Sequence, residues 1–119
     1  MTVKEFYEVS GSNYEEAIGR MTNDAFILRF LLKFINSDYG NNLINAYNNK
    51  NMHEVFEVSH AIKGVAGNLA LTRLFELSSS ITEKTRNLPE GELVNLDSEV
   101  TSFKEEFEKV VNQIKQIEN

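Results

Sequence analysis

The side chains best suited to covalent chemistry are the two histidines, His53 and His60. His60 lies in the stretch Ser59-His60-Ala61-Ile62-Lys63-Gly64-Val65-Ala66-Gly67-Asn68-Leu69. In a helix, steps of three and four residues place Phe56, Glu57, Lys63 and Gly64 on the face of His60, with Gly67 a turn further along. A neutral imidazole near pH 7 has an unprotonated ring nitrogen and is a competent nucleophile. Lys63 brings a positive charge able to neutralise an anion bound to or formed on that nitrogen. Gly64 bares the backbone beside it and leaves space for a bulky donor. Glycine inside a helix costs about 1 kcal/mol relative to alanine, so Gly64 and Gly67 call for a reason beyond helix formation. Nucleophile, cation and clearance are what phosphoryl transfer to a histidine requires. The plainer readings are a solvated histidine, a helix C-terminus at Gly67-Asn68 and a close helix crossing at Gly64.

The elements that must position these residues are all helical. Thr2-Val3-Lys4-Glu5 reads as a capping box opening a short helix to about Val9, broken by Ser10-Gly11-Ser12. Asn13, with Glu16 three residues on, opens a second short helix ending near Met21. Asn23 caps a third, from Asp24 to about Asn36, which is apolar nearly all round and is therefore either well buried or left with a face for a partner. A fourth spans about Tyr39 to Asn48, although its asparagines are poor helix formers. Asn51 caps a long helix whose core stripe is Met52, Val55, Ser59, Ile62, Ala66 and Leu69, which leaves His60 off the stripe. The next runs from Leu71 or Thr72 to about Asn87 with the stripe Leu71, Leu74, Ser78, Ile81, Thr85 and Leu88. After the turn Leu88-Pro89-Glu90-Gly91, the rhythm Leu93, Leu96, Val100, Phe103, Phe107, Val110, Ile114 and Ile117 predicts a last helix of seven turns. Such stripes must be buried against one another. The expected fold is all-α, an antiparallel four-helix bundle with short extra N-terminal helices, forming one domain over residues 1–119.

Composition narrows the function. Eight Phe and four Tyr within 119 residues argue against disorder, and the absence of Cys excludes a disulfide framework or a Cys-ligated metal. A formal charge of −6 argues against a nucleic-acid partner. The apolar stretch from Phe26 to Ile35 is interrupted by Arg29 and Lys33 and is too short to span a bilayer. Lys4, Glu5 and Glu8 stand where the apolar part of a signal peptide would lie. These features predict a cytoplasmic protein with no membrane partner, expected to be a monomer; Met1 and the short head favour a free-standing chain. No glycine-rich loop with Lys-Ser/Thr offers an ATP site and no acidic cluster an obvious Mg²⁺ site, so a phosphoryl donor and its metal would come from another protein. The expectation is a carrier, not an enzyme, without a cofactor of its own. Two rivals are a metal-binding bundle using His53, Glu57 and His60 at i, i+4 and i+7, and an interaction bundle in which His60 is never phosphorylated.

The stretch around His60 resembles the signature of histidine-containing phosphotransfer (HPt) domains of bacterial two-component phosphorelays. Tyr14-Glu15-Glu16-Ala17-Ile18, the Phe-rich helix that follows and Leu71-Thr72-Arg73-Leu74 are similar to the same family. The resemblance implies that His60 accepts a phosphoryl group from a receiver-domain aspartate and passes it to another receiver, which supplies Mg²⁺. It implies that Lys63 steadies the phosphoryl oxygens and Gly64 lets the receiver dock. Phe56 and Phe75 are the apolar residues expected on the docking surface, with Glu57 and Gly67 beside them. In the family the residue twenty-two positions after the histidine often orients the imidazole, commonly as Gln. Here it is Thr82, with Ser79 or a water as a substitute. Arg86 would add a second cation if it is not simply solvated, and Ala70 stands where the family usually has Gly.

Overall fold

A computed structural model describes residues 1–118. Seven helices follow one another: α1 (Val3–Ser10), α2 (Tyr14–Met21), α3 (Asp24–Ile35), α4 (Tyr39–Asn48), α5 (Met52–Asn68), α6 (Thr72–Thr85) and α7 (Asp97–Ile114). Among the described residues there is no strand. The starts of α1, α2, α3 and α5 are fixed by local chemistry. Thr2 and Glu5 form a reciprocal capping box. The side chains of Asn13, Asn23 and Asn51 each accept a hydrogen bond from the backbone N–H three residues on, at 2.9–3.1 Å.

The four C-terminal helices α4 to α7 form the bundle, with α5 and α6 the most extensively packed pair. Ser59 near the middle of α5 meets Thr82 in the last turn of α6, while Gly67 near the end of α5 lies under Phe75 near the start of α6. Lys84 at the end of α6 pairs with Glu99 at the start of α7. Tyr47 at the end of α4 donates to Asp97, and Gly40 at its start lies against Phe107. Neighbours therefore run antiparallel. The stripe residues Val55, Ser59, Ile62 and Ala66 of α5 and Leu74, Ser78 and Ile81 of α6 are buried, as is Phe103 of α7. Helices α1 and α3 add Phe6, Tyr7, Ile27, Leu31 and Phe34 to the same contiguous core.

Two boundaries differ from the sequence pattern. The last helix begins at Asp97, not Leu93, and has five turns. Leu93 is exposed despite continuing the rhythm. The Leu96 N–H donates to the Tyr47 hydroxyl at 2.8 Å and the Asp97 N–H to the Asn95 side chain at 3.0 Å, which holds Asn95 and Leu96 outside the helix. Helix α6 ends at Thr85, and Arg86 is already extended.

The turn between α5 and α6 closes with the Leu71 N–H on the Ala66 carbonyl and the Ala70 N–H on the Gly67 carbonyl. That pattern is a Schellman motif, which demands a left-handed residue, and Ala70 supplies it at φ 53°. The turn the resemblance associates with glycine is thus made by alanine. A left-handed L-residue costs about 1 kcal/mol. Burying the Ala70 methyl in the core returns about 0.8 kcal/mol.

Candidate functional site

The seam between α5 and α6 explains where His60 points. Ser59, Ser78 and Thr82 are small and fully buried, and their hydroxyls bond across or along the seam. With Ser59 turned inward, the next residue, His60, is turned out into solvent. Its ring lies nearly parallel to that of Phe56 one turn earlier, with an interplanar angle of 8° and centroids 5.8 Å apart. Lys63 is half-buried, with Nζ 6.0 Å from the centroid of Phe75. Phe75 itself is 38% exposed. A Cβ on Gly64 would meet no atom within 4 Å, so beside His60 the surface is open.

These residues line one groove of about 500 Å³ that runs from His60, Lys63 and Gly64 past Gly67 to Phe75. Its far wall is Glu16 and Arg20 of α2. The Arg20 guanidinium donates to the Gly67 carbonyl and to Glu16. Sequence reasoning missed both residues. Their i, i+4 spacing announces an ion pair, but nothing local says that Arg20 reaches a carbonyl 47 residues away.

Other expected site residues have different work. Thr82 does not bond the imidazole: it is buried, donates to the Ser78 carbonyl at 2.7 Å, and its oxygen sits 3.0 Å from Ser59 Oγ. Among the described residues His60 makes no hydrogen bond. The Ser79 hydroxyl is buried and has no partner. Gly67 lies directly under Phe75, where a Cβ would come within 3.2 Å of the ring, so its small size has a packing reason. Arg86 is not simply solvated: it makes two hydrogen bonds to Glu83, at 3.0 and 3.3 Å, and its Cζ lies 5.3 Å from the Phe56 centroid. The Arg86 guanidinium holds the Glu83 carboxyl below the usual carboxylate range, with smaller contributions from Lys63 and His60.

His53 Nε2 and Glu57 Oε1 pair at 2.6 Å, both exposed. Among the described residues no group of three or more His, Cys, Asp or Glu is placed to hold a metal ion, so His53, Glu57 and His60 do not form the ligand set of the rival metal-binding reading. Among the described residues no helix is long and apolar enough to cross a membrane.

The arrangement is an exposed imidazole on a helix of an antiparallel bundle, a cation one turn along, and open backbone at Gly64 beside them. Residues 36–117 match the model of the Hpt domain, a span that contains α4 to α7 and every residue singled out above except Glu16 and Arg20. No curated protein and no solved structure matches the chain significantly. The family match covers well over half of the sequence and its span contains His60, Lys63 and Gly64 on the outward face of α5; the chain belongs to the Hpt domain family.

Proposed function

We propose that this protein is a histidine phosphocarrier of a two-component phosphorelay, with His60 as phosphoacceptor. The observation that carries the reading is the exposed imidazole of His60 beside Gly64, where nothing in the fold fills the space a side chain would take. A receiver domain presents an aspartyl phosphate. The unprotonated imidazole nitrogen attacks phosphorus, the N–P bond forms, the P–O bond to the aspartate breaks, and the carboxylate leaves. The other ring nitrogen keeps its proton. Transfer onward reverses the bonding on a second receiver's carboxylate. Lys63 lies one turn from His60 and neutralises charge on the phosphoryl oxygens. The Mg²⁺ belongs to the receiver, and the docking face is the groove with Phe75 on its rim.

The test is label transfer from a phosphorylated receiver or an ATP-charged hybrid kinase to this protein and to His60→Gln. Acid-labile, base-stable label on the wild type that is lost in a folded variant supports the carrier. Label persisting in the variant overturns the assignment to His60. A wild type unlabelled by a panel of donors favours the interaction bundle.

A further inference from the structure

An attacking imidazole must be held in one orientation, and here no hydrogen bond does so. Among the described residues neither ring nitrogen of His60 has a partner, and Thr82 is bonded into the α5–α6 seam. Beside the imidazole lies a flat face. The Phe56 ring lies within 8° of parallel to it at 5.8 Å between centroids. Offset stacking of this kind restricts the tilt of the plane while leaving both nitrogens, which lie in that plane at the ring edge, uncovered. Phe56 is in turn held from just past the end of α6: the Arg86 guanidinium sits 5.3 Å from its centroid, and Glu83, in the last turn of α6, fixes that guanidinium through two hydrogen bonds.

We propose that Phe56, held by Arg86, is the positioning residue for His60, setting the plane of the imidazole by stacking. The proposal rests on His60 being the phosphoacceptor. It makes Phe56 part of the nucleophile's support and gives Arg86 a place behind the reaction, not at the phosphoryl group. The flat shape of the Phe56 side chain is what matters, more than its apolar bulk, so leucine fails and tyrosine serves.

The experiment compares wild type with Phe56→Leu, Phe56→Tyr and Arg86→Ala in two measurements. The first is the rate of His60 phosphorylation by phosphoramidate, a small donor whose phosphoryl group passes to the ring nitrogen as ammonia leaves, so that protein docking plays no part. Phe56→Leu is expected to slow this reaction about tenfold, as loss of reacting-group orientation does, with Phe56→Tyr within about twofold of wild type and Arg86→Ala between them. The second is the ring-current shift of the His60 carbon-bound protons by NMR, present in wild type and Phe56→Tyr and absent in Phe56→Leu. Wild-type phosphoramidate kinetics in Phe56→Leu, with loss only of transfer from a receiver, would make Phe56 a docking contact and overturn the proposal. So would the absence of a ring-current shift in the wild type. The NMR arm reads the stack whether or not a relay exists, so failure of the carrier reading and failure of this proposal are seen separately.

Discussion

A Cβ built on Gly64 would meet nothing within 4 Å, whereas one on Gly67 would lie 3.2 Å from the Phe75 ring. Both glycines sit in α5, yet only the second has a packing reason. Replacing Gly64 with alanine or glutamine is therefore expected to raise stability by about 0.5–1 kcal/mol, read from the denaturant midpoint, because helix propensity improves in open space. Glutamine there should at the same time lower phosphoryl transfer from a receiver at least about tenfold, since its side chain occupies the approach to His60. A Gly64→Gln protein that is more stable and transfers at the wild-type rate would remove clearance from the account. At this scale the sequence shows the site clearly where it is local: His60, Lys63 and Gly64 share a face through helical spacing alone. It does not show Thr82 bonding to Ser59, because that contact depends on how two helices settle against each other.

Between elements, the decisive contacts are close approaches that the hydrophobic rhythm does not encode. Gly40 in α4 is buried under Phe107 of α7, and an added Cβ would fall 2.7 Å from the ring. Gly40→Ala gains helix propensity but forces the ring or the helix to shift, and the overpacking should prevail, destabilising by about 1–3 kcal/mol in chemical denaturation. A Gly40→Ala protein as stable as wild type would mean that Phe107 swings away freely. The boundaries divide in the same way. The caps at Thr2, Asn13, Asn23 and Asn51 are legible because each bond spans three residues. The start of α7 is not, because Leu93 keeps the apolar period while Tyr47, from another helix, holds the Leu96 N–H outside the helix. Local rules of capping and periodicity give helix number and face; long-range bonds set where α7 begins.

For the molecule as a whole, α1 to α3 bind the matched bundle through polar as well as apolar contacts. The Tyr7 hydroxyl donates to the Leu69 carbonyl at 2.7 Å, deep in the core, and burial raises its pKa well above the usual tyrosine value. Unfolded tyrosine loses its proton near pH 10, while folded Tyr7 keeps it. The native state then binds more protons than the unfolded state, so stability is fully present below about pH 10 and falls as pH rises beyond it. Urea midpoints at pH 8 and pH 10.5 should differ in that direction, and Tyr7→Phe should weaken the dependence while costing about 1–2 kcal/mol at neutral pH, through the unpaired Leu69 carbonyl. An unchanged pH slope in Tyr7→Phe would assign the effect to Tyr14 and Tyr47, which are raised as well.

Arg20 closes the same join from the other side, on the Gly67 carbonyl. Residues 36–117 carry the family pattern, but Phe6, Tyr7, Ile27 and Leu31 are shared with the core beneath it. Homologous recombination with a breakpoint between Ile35 and Asn36 would pair a foreign N-terminal segment with this bundle. Such hybrids would present mismatched apolar faces at α1 and α3, leave the Leu69 carbonyl without its Tyr7 donor and remove Arg20 from the Gly67 carbonyl. The N-terminal helices and the bundle thus fit each other as one unit, and exchanging whole segments would cost core contacts that point changes along the groove leave in place.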